Sequence, residues 1–290
     1  MPNPTGQKSN ADLLEGDKLY IDRARKALPI LVRQARAGKY ITYSALAEEL
    51  DMPNPRNLNY VLGAIGNALV ALAEREKIEP IPVINCLVVN QNSGLPGEGI
   101  NWFIPKETFE KQSKNQQKET LKVLLGGIYA YPDWYWVLEE LGVQPIKNKV
   151  KIKTKPVEAS KGGGFGGGES PEHKNFKNYM AKHPELIGLP DSLKGKTEHI
   201  LPSADVVDVL FVNKDERIGV EVKSKISDTS DIYRGLFQCV KYKAVIEAEQ
   251  IANDELPNCR VVLALEKSLP EELLALKNQL GIEVFEKSKK

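Results

Sequence analysis

The 290-residue sequence has little of what identifies several common protein classes. Its three cysteines, Cys86, Cys239 and Cys259, are widely spaced and form no CxxC pair, which argues against a zinc finger or a disulfide framework. Its 40 Lys and Arg residues almost cancel its 39 Asp and Glu residues. The resulting net charge of +1 predicts no partner, so any nucleic-acid surface has to be a local patch.

Long apolar segments are also missing. The first 18 residues, MPNPTGQKSNADLLEGDK, are polar and lack the apolar stretch of a secretory signal. No apolar run approaches the ~20 residues that a membrane-spanning helix needs. With 41% hydrophobic and 27% charged residues, the composition is that of a globular protein, and we expect a cytoplasmic location and no membrane partner.

The clearest domain boundary lies in residues 157–174, VEASKGGGFGGGESPEHK. Six glycines between Gly162 and Gly168 cannot support a packed element and predict a flexible linker. The chain is long enough for two ordinary domains. We therefore expect a first domain over residues 1–145, a basic segment and linker over 146–170, and a second domain over 171–290.

The basic segment, KNKVKIKTKP, spans residues 147–156 and carries a lysine at every second position. As a strand it would place all five lysines on one face. Two interpretations stay open, an edge strand protected by lysine or a basic strip beside DNA phosphates. In the second interpretation Lys149, Lys151 and Lys153 are the candidate DNA contacts.

Residues 18–145 are predicted to be mostly helical. A helix should end at Gly38, and Pro29 should kink it or split it in two. A short helix over Ser44–Leu50, a turn with two prolines, and a longer helix from about Arg56 form a helix-turn-helix pattern. Further helices are predicted near residues 118–125 and 133–141, where the aromatic residues of the second should pack a core.

A hairpin is predicted after these two helices. Residues 82–90, PVINCLVVN, have the apolar character of a strand, and QNSGLPGEG has the composition of a turn. The following INWFI, residues 100–104, should return as the second strand. Such a hairpin would correspond to the wing of a winged helix.

The second domain is predicted to be α/β. One helix, three consecutive strands, a long helix, a strand, a helix and a last strand follow each other over residues 171–290. This order predicts a mixed sheet with helices on both faces.

A carboxylate and a lysine share one face of the third predicted strand, IGVEVKSK, residues 218–225. Val220 and Val222 should face one side of this strand, and Glu221 and Lys223 the other. In the preceding strand Asp208 should share a face with Val206, opposite to Val207 and Val209. A hairpin between the two strands would bring Asp208 near Glu221.

Two adjacent carboxylates repel each other unless a cation binds between them. Mg²⁺ suits this position because it prefers oxygen ligands and commonly takes one or two carboxylates with water and phosphate. Lys223 could orient a metal-bound water or stabilise the transition state. Asp208, Glu221 and Lys223 therefore predict metal-dependent phosphodiester hydrolysis. The alternative is a solvent-facing ion pair between Glu221 and Lys223 on an edge strand.

LPSADVVDVLF followed by GVEVKSK resembles the PD-(D/E)XK nuclease superfamily, with Asp208, Glu221 and Lys223 at the positions of the D…ExK signature. Val207 stands where that motif often has proline. The resemblance covers about residues 171–290. It implies a restriction-endonuclease-like fold and hydrolysis of DNA with Mg²⁺, for which Mn²⁺ can substitute.

The same resemblance implies roles for further residues. Asp208, Glu221 and the carbonyl of Val222 would hold the metal, with Glu185 in HPELIGL as an extra acidic ligand. Gln238 and Lys241 in GLFQCVKY would position the site or the DNA. The alternatives are a helix-terminal surface acid for Glu185 and a solvated helix face for Gln238 and Lys241.

GKYITYSALAEEL, NPRNLNYVLGAIGNA and IPVINCLVVNQNSGLPGEG resemble the winged-helix DNA-binding domain of alkylguanine-DNA alkyltransferases and alkyltransferase-like proteins, over about residues 38–100. The resemblance implies that the second helix contacts DNA, with Arg56 at the gap of a flipped base and Tyr43 near the extruded nucleotide. Asn57 and Asn59 near the start of that helix also suit groove or phosphate contact. The alternative is a helical domain that binds protein or packs on its neighbour.

The alkyltransferase nucleophile is not retained. That family carries PCHRV, whereas this chain has INCLVVN, with Asn85 at the cysteine position and Cys86 at the histidine position. We therefore expect no alkyl transfer and interpret Cys86 as a core residue.

Taken together, the sequence predicts a two-domain DNA endonuclease of restriction or anti-phage defence. A cut through both strands would need two sites, which makes a homodimer a candidate assembly. The alternatives are a non-catalytic DNA-binding sensor and a repair adaptor that marks alkylated bases without cutting.

Overall fold

The structure is a computed structural model that describes residues 9–105, 109–146, 170–214 and 216–289. The backbone divides into two compact units, residues 1–148 and 149–290, and each is described by itself. The predicted basic strand, with Lys149, Lys151 and Lys153, and the glycine-rich segment lie outside the described residues. Within the described ranges, no helix is both long and apolar enough to cross a lipid bilayer.

The first unit is mainly helical. Its helices are α1 (Leu19–Ala37), α2 (Tyr43–Glu49), α3 (Leu58–Glu76), α4 (Lys114–Ala130) and α5 (Trp134–Glu140). Short 3₁₀ helices span Asn10–Leu14, Pro55–Asn57, Ile84–Leu87 and Glu98–Trp102. Two short strands, β1 (Ile41–Thr42) and β2 (Val88–Val89), pair in parallel. One hydrophobic core joins these elements.

Helix α1 is continuous through Pro29, so the predicted split is wrong. Pro29 lies within a run of buried residues from Ala27 to Val32, and the packing of this run outweighs the backbone hydrogen bond that proline cannot make. Gly38 ends the helix as predicted, with a left-handed φ of 64°. In α5, Trp134 is buried as predicted, but Tyr135 is exposed, with the Arg36 guanidinium 4.1 Å from its ring centre.

The predicted wing hairpin is wrong. Ile84–Leu87 forms a 3₁₀ helix, β2 pairs in parallel with β1, and INWFI falls within and just after the 3₁₀ helix Glu98–Trp102. One cause is Asn85, whose buried side chain donates a hydrogen bond to the carbonyl of Leu62 at 2.9 Å. Another is Gly97, whose N–H donates to the hydroxyl of Tyr43 at 3.0 Å and turns the glycine-rich segment back onto α2.

The second unit is a five-stranded mixed sheet with helices. Its strands are β3 (Lys196–Ile200), β4 (Val206–Asn213), β5 (Glu216–Lys223), β6 (Cys259–Leu265) and β7 (Glu283–Glu286), adjacent in that order. The first two pairings are antiparallel and the last two are parallel. Its helices are α6 (Pro171–Lys182), α7 (Thr229–Ala252) and α8 (Leu274–Leu280). Additional 3₁₀ turns span Pro184–Ile187, Glu271–Leu273 and Lys287–Lys289. The predicted order of helices and strands is confirmed.

Two separate cores lie on the two faces of this sheet. On one face, Phe176 and Met180 of α6 pack with Val220 of β5. On the other face, Leu236 of α7 packs with Leu263 of β6. Helices therefore lie on both faces, as the element order predicts, and most of β5 and β6 is buried.

Strand β4 does not alternate regularly around Asp208. Val207 belongs to the core under α7 and Val209 to the core under α6, so the prediction that both valines share one face is wrong. Glu198 lies between the β3 partners of these valines and has a left-handed φ of 55°. The ladder is therefore irregular at Asp208.

Candidate active site

The candidate site begins where the ladder between β4 and β5 ends. The last backbone pair is Val209 with Val220. Beyond it, the Oδ2 atom of Asp208 accepts a hydrogen bond from the N–H of Val222 at 2.8 Å. A side-chain carboxylate thus takes the place of a backbone acceptor, which fixes Asp208 against the strand that carries Glu221.

Glu221 lies in the middle of the sheet. Strand β5 is flanked by β4 and β6, so the interpretation of Glu221 and Lys223 as an ion pair on an edge strand is wrong. Glu221 is only 4% exposed, and its Oε1 atom lies 2.7 Å from the Nζ atom of Lys223. A carboxylate this deeply buried needs a partner charge to remain ionised.

The electrostatics of the site disfavour two ionised carboxylates. Burial first, and then the charge of Asp208, raise the pKa of Glu221 to about 7, although Lys223 and His173 act in the opposite direction. At neutral pH a large share of Glu221 is therefore protonated. One further cation beside Asp208 and Glu221 would restore the ionised form. This charge balance, with its oxygen donors, fits a divalent ion such as Mg²⁺.

Helix α7 supplies the remaining polar groups. The Nζ atom of Lys223 lies 3.2 Å from Oε1 of Gln238, and Nε2 of Gln238 lies 3.4 Å from the hydroxyl of Tyr242. Tyr242 donates in turn to the carbonyl of Val206 at 3.1 Å. Gln238 is thus part of a hydrogen-bonded chain from β5 to β4, and its interpretation as a solvated helix face is wrong.

Gly235 allows α7 to lie close against this strand. A Cβ atom at Gly235 would be 2.8 Å from Cε of Lys223 and 2.9 Å from Cδ1 of Leu263. Both separations are shorter than real Cβ contacts, so only glycine fits without a shift. The lysine stem is held between the helix and the sheet as a result.

Lys241 lies outside this chain of hydrogen bonds. Its Nζ atom is 2.7 Å from Oδ1 of Asp205 at an exposed position. Lys241 first and Ser203 second, each by a hydrogen bond, lower the pKa of Asp205. The position beside solvent leaves Lys241 a candidate for contact with a substrate, not for the reacting centre.

Two residues next to the site were missed by sequence reasoning. His173, in the first turn of α6, places Nε2 3.1 Å from Oδ1 of Asp208. No local pattern connects it to Asp208, which follows 35 residues later. Tyr242 follows Gln238 by four residues on one helix, and that spacing on a common face was an available signal.

Glu185 does not lie beside the carboxylates of Asp208 and Glu221. It lies in the 3₁₀ helix Pro184–Ile187, with Oε1 2.9 Å from Nδ1 of His183. Across the described parts of the chain, no three His, Cys, Asp or Glu side chains are placed together to hold a metal ion. The structure does bring two oxygen donors together. One is the carboxylate of Asp208, which accepts from the Val222 N–H, and the other is the carboxylate of Glu221, whose pKa the charge of Asp208 raises.

In the first unit, the start of α3 is open to solvent. Arg56, Asn57 and Asn59 are exposed there, and the Asn57 side chain makes no capping hydrogen bond. A helix N-terminus with polar side chains suits phosphate and groove contact. Tyr43 is different, because it is half-buried and accepts the Gly97 hydrogen bond, and burial raises its pKa.

The two residues that match the alkyltransferase cysteine and histidine in the sequence resemblance are both buried. Asn85 is buried against α3, and Cys86 is completely buried, which confirms Cys86 as a core residue. Burial raises the pKa of the Cys86 thiol to about 12, so almost no thiolate forms at neutral pH.

No protein-family model, curated protein or solved structure matches this chain. The function therefore has to be inferred from the site itself. What the site offers is a buried carboxylate, a second carboxylate fixed by a backbone amide, and a lysine held between them and α7.

Proposed function

We propose that the chain is a metal-dependent endonuclease that hydrolyses phosphodiester bonds in DNA. The observation that carries this proposal is the convergence of Asp208, Glu221 and Lys223 in the middle of a sheet, where Glu221 has a pKa of about 7. A buried carboxylate of this kind is costly for a purely structural site. This free-energy cost is explained if the buried carboxylate binds a cation that in turn contacts a substrate phosphate.

Asp208, Glu221 and the carbonyl of Val222 would hold Mg²⁺, and Mn²⁺ can take the same place. The ion supplies charge neutralisation at a phosphoryl oxygen and a bound water of lowered pKa. Two carboxylates suffice because Mg²⁺ usually retains several waters in protein sites. His173 would orient Asp208 by its contact with Oδ1.

Lys223 would act on the substrate. Its ammonium has three donors, of which two meet Oε1 of Glu221 and Oε1 of Gln238. The third donor is left for a phosphate oxygen or for the attacking water. Gln238 and Tyr242 keep the ammonium in place through their chain of hydrogen bonds.

The first unit would deliver the DNA. Arg56, Asn57 and Asn59 at the exposed start of α3 would contact phosphates and base edges. A DNA-recognising unit joined to a nuclease fits restriction of invading DNA, by analogy with enzymes of that architecture. A homodimer would supply the two sites that a cut through both strands needs.

One observation favours a second candidate, a DNA-binding sensor that does not cut. Within the described residues, no group of three metal-ligating side chains is assembled. The ion pair of Lys223 with Glu221 and the hydrogen bond between His173 and Asp208 would then serve only to satisfy buried polar groups. A repair adaptor for alkylated bases is a variant of this candidate.

Cleavage of supercoiled plasmid DNA by the full-length protein separates these candidates. We expect cutting with Mg²⁺ or Mn²⁺, none with EDTA, and a loss of about a hundredfold in Glu221→Gln and Lys223→Ala. Lys243→Ala is the matched control, because this lysine lies on α7 and pairs only loosely with Glu247, at 3.8 Å. Equal cutting by all variants would place the activity elsewhere, and DNA binding without cutting would favour the sensor.

A further inference from the structure

A cleft of about 470 Å³ adjoins the candidate active site along α7. Its walls include Lys223, Tyr233, Arg234, Phe237, Gln238 and Lys241. Two of these side chains, Lys223 and Gln238, also belong to the candidate active site. A molecule in the cleft would therefore lie directly beside the group that is proposed to act on phosphate. The volume is typical of a site for a small molecule or for one unit of a polymer.

The lining of the cleft includes two aromatic rings. Tyr233 and Phe237 are four residues apart on α7, and their ring centres lie 5.0 Å apart with planes inclined at 59°. Phe237 is 42% exposed, so part of its ring is open to solvent. Exposed rings at such a position favour stacking with another flat ring system, which a nucleobase provides.

The charged side chains that line the cleft are mostly cationic. Lys223, Arg234 and Lys241 line it together with a single carboxylate, Asp231. Arg234 pairs with Asp231 at 2.6 Å and Lys241 with Asp205 at 2.7 Å, but the two cations are 58% and 56% exposed. Exposed ion pairs of this kind are weak, so a phosphate can replace the carboxylate partner. The aromatic and the cationic side chains of the lining together match the base and the phosphate of one nucleotide.

We propose that this cleft binds an unpaired nucleotide next to the phosphodiester bond that is cut. A base within a duplex is stacked on both sides, so its face can reach Phe237 only if it is unstacked or already single-stranded. The preferred substrate would then be single-stranded DNA or DNA with a locally unpaired segment. This inference rests on the proposed nuclease function and specifies its substrate class.

The test uses the full-length protein and one DNA sequence in three forms: a single strand, a blunt duplex, and a duplex with an unpaired flap. With Mg²⁺, Phe237→Ala should lower kcat/KM on the single strand and the flap by about tenfold, the size expected when one stacked base loses its platform. Phe237→Trp should retain cleavage, since it keeps an aromatic face. Val240→Ala, an exposed change on the same helix away from the cleft walls, is the matched control.

Binding in EDTA gives a second readout that does not need cutting. Single-stranded DNA should quench the fluorescence of the tryptophan in Phe237→Trp beyond the signal of the wild type, and an RNA strand of the same sequence tests whether the sugar matters. Cleavage that is equal on paired and unpaired DNA and unaffected by Phe237→Ala would overturn this inference but leave the nuclease intact. Quenching without cleavage of any of the three DNA forms would overturn the proposed nuclease function but would support a binding site for unpaired strands.

Discussion

Glu221 is a carboxylate at a position of β5 where both sequence neighbours, Val220 and Val222, are fully buried. Its pKa of about 7 in the fold, against an ordinary value of 4.5, gives a prediction for stability without metal. Between these two values the folded protein binds a proton that the unfolded chain has released. The contribution of Glu221 to the free energy of unfolding should therefore fall as pH rises through this window.

Chemical denaturation in EDTA at a series of pH values measures this slope. Glu221→Gln should flatten it, and added Mg²⁺ should raise the stability of the wild type most above pH 7. Glu247→Gln, a change at a half-buried position of α7, should leave the slope unchanged. The same slope in the wild type and in Glu221→Gln would contradict the burial of an ionisable Glu221.

A second prediction at the residue scale concerns Gly235. Gly235→Ala places a methyl group against Lys223 and Leu263, so the helix or the lysine has to move. We expect a loss of about 1–3 kcal/mol in stability and a fall in cleavage of about tenfold or more. Gly63→Ala is the control, because nothing lies within 4 Å of its added Cβ. Unchanged cleavage by Gly235→Ala would mean that the position of the lysine is not critical.

Which residues meet at the site was predictable only in part. The alternation of β5 and the apolar surroundings of Asp208 indicated Asp208, Glu221 and Lys223, because strand periodicity is a local property. His173 was not predictable, since its contact with Asp208 arises from the packing of α6 on the sheet. The break of register at Asp208 also escaped the sequence, because it depends on the neighbouring strand.

At the scale of elements, the second unit followed its sequence more closely than the first. Its helices and strands are long, with apolar patterns that specify one type of structure. The predicted wing hairpin does not form. The Asn85 side chain bonds to the carbonyl of Leu62 and the Gly97 N–H bonds to the hydroxyl of Tyr43, and neither bond belongs to a hairpin ladder. Pro29 shows the same effect, because the tertiary packing of α1 keeps the helix continuous through a residue that locally disfavours helix.

The start of α3 carries a prediction about DNA binding. Arg56→Ala should weaken binding of duplex DNA and reduce the slope of log affinity against log salt by about one, as expected when one phosphate contact is removed. Fluorescence anisotropy in a salt series measures both quantities. Lys122→Ala, an exposed change on α4, should alter neither. An unchanged slope in Arg56→Ala would exclude this helix start as the contact.

At the scale of the whole molecule, the first unit has one hydrophobic core and the second unit has two, one on each face of its sheet. The candidate active site is built from the second unit alone. A fragment over residues 170–290 should therefore fold and retain metal-dependent cutting of unpaired DNA, but should bind duplex DNA more weakly than the full chain. Circular dichroism tests whether the fragment folds, and the same cleavage assay tests whether it cuts. A folded fragment without any cutting would show that the first unit contributes to the site.

The most direct test of the central claim is single-turnover cleavage of one labelled oligonucleotide across a Mg²⁺ titration. The wild type should cut in proportion to metal occupancy. Asp208→Asn keeps the size of the side chain but removes the charge, and it should lower the cleavage rate about a hundredfold or more and shift the titration to higher Mg²⁺. Wild-type rates and an unchanged Mg²⁺ dependence in Asp208→Asn would contradict a metal-dependent nuclease centred on Asp208 and Glu221.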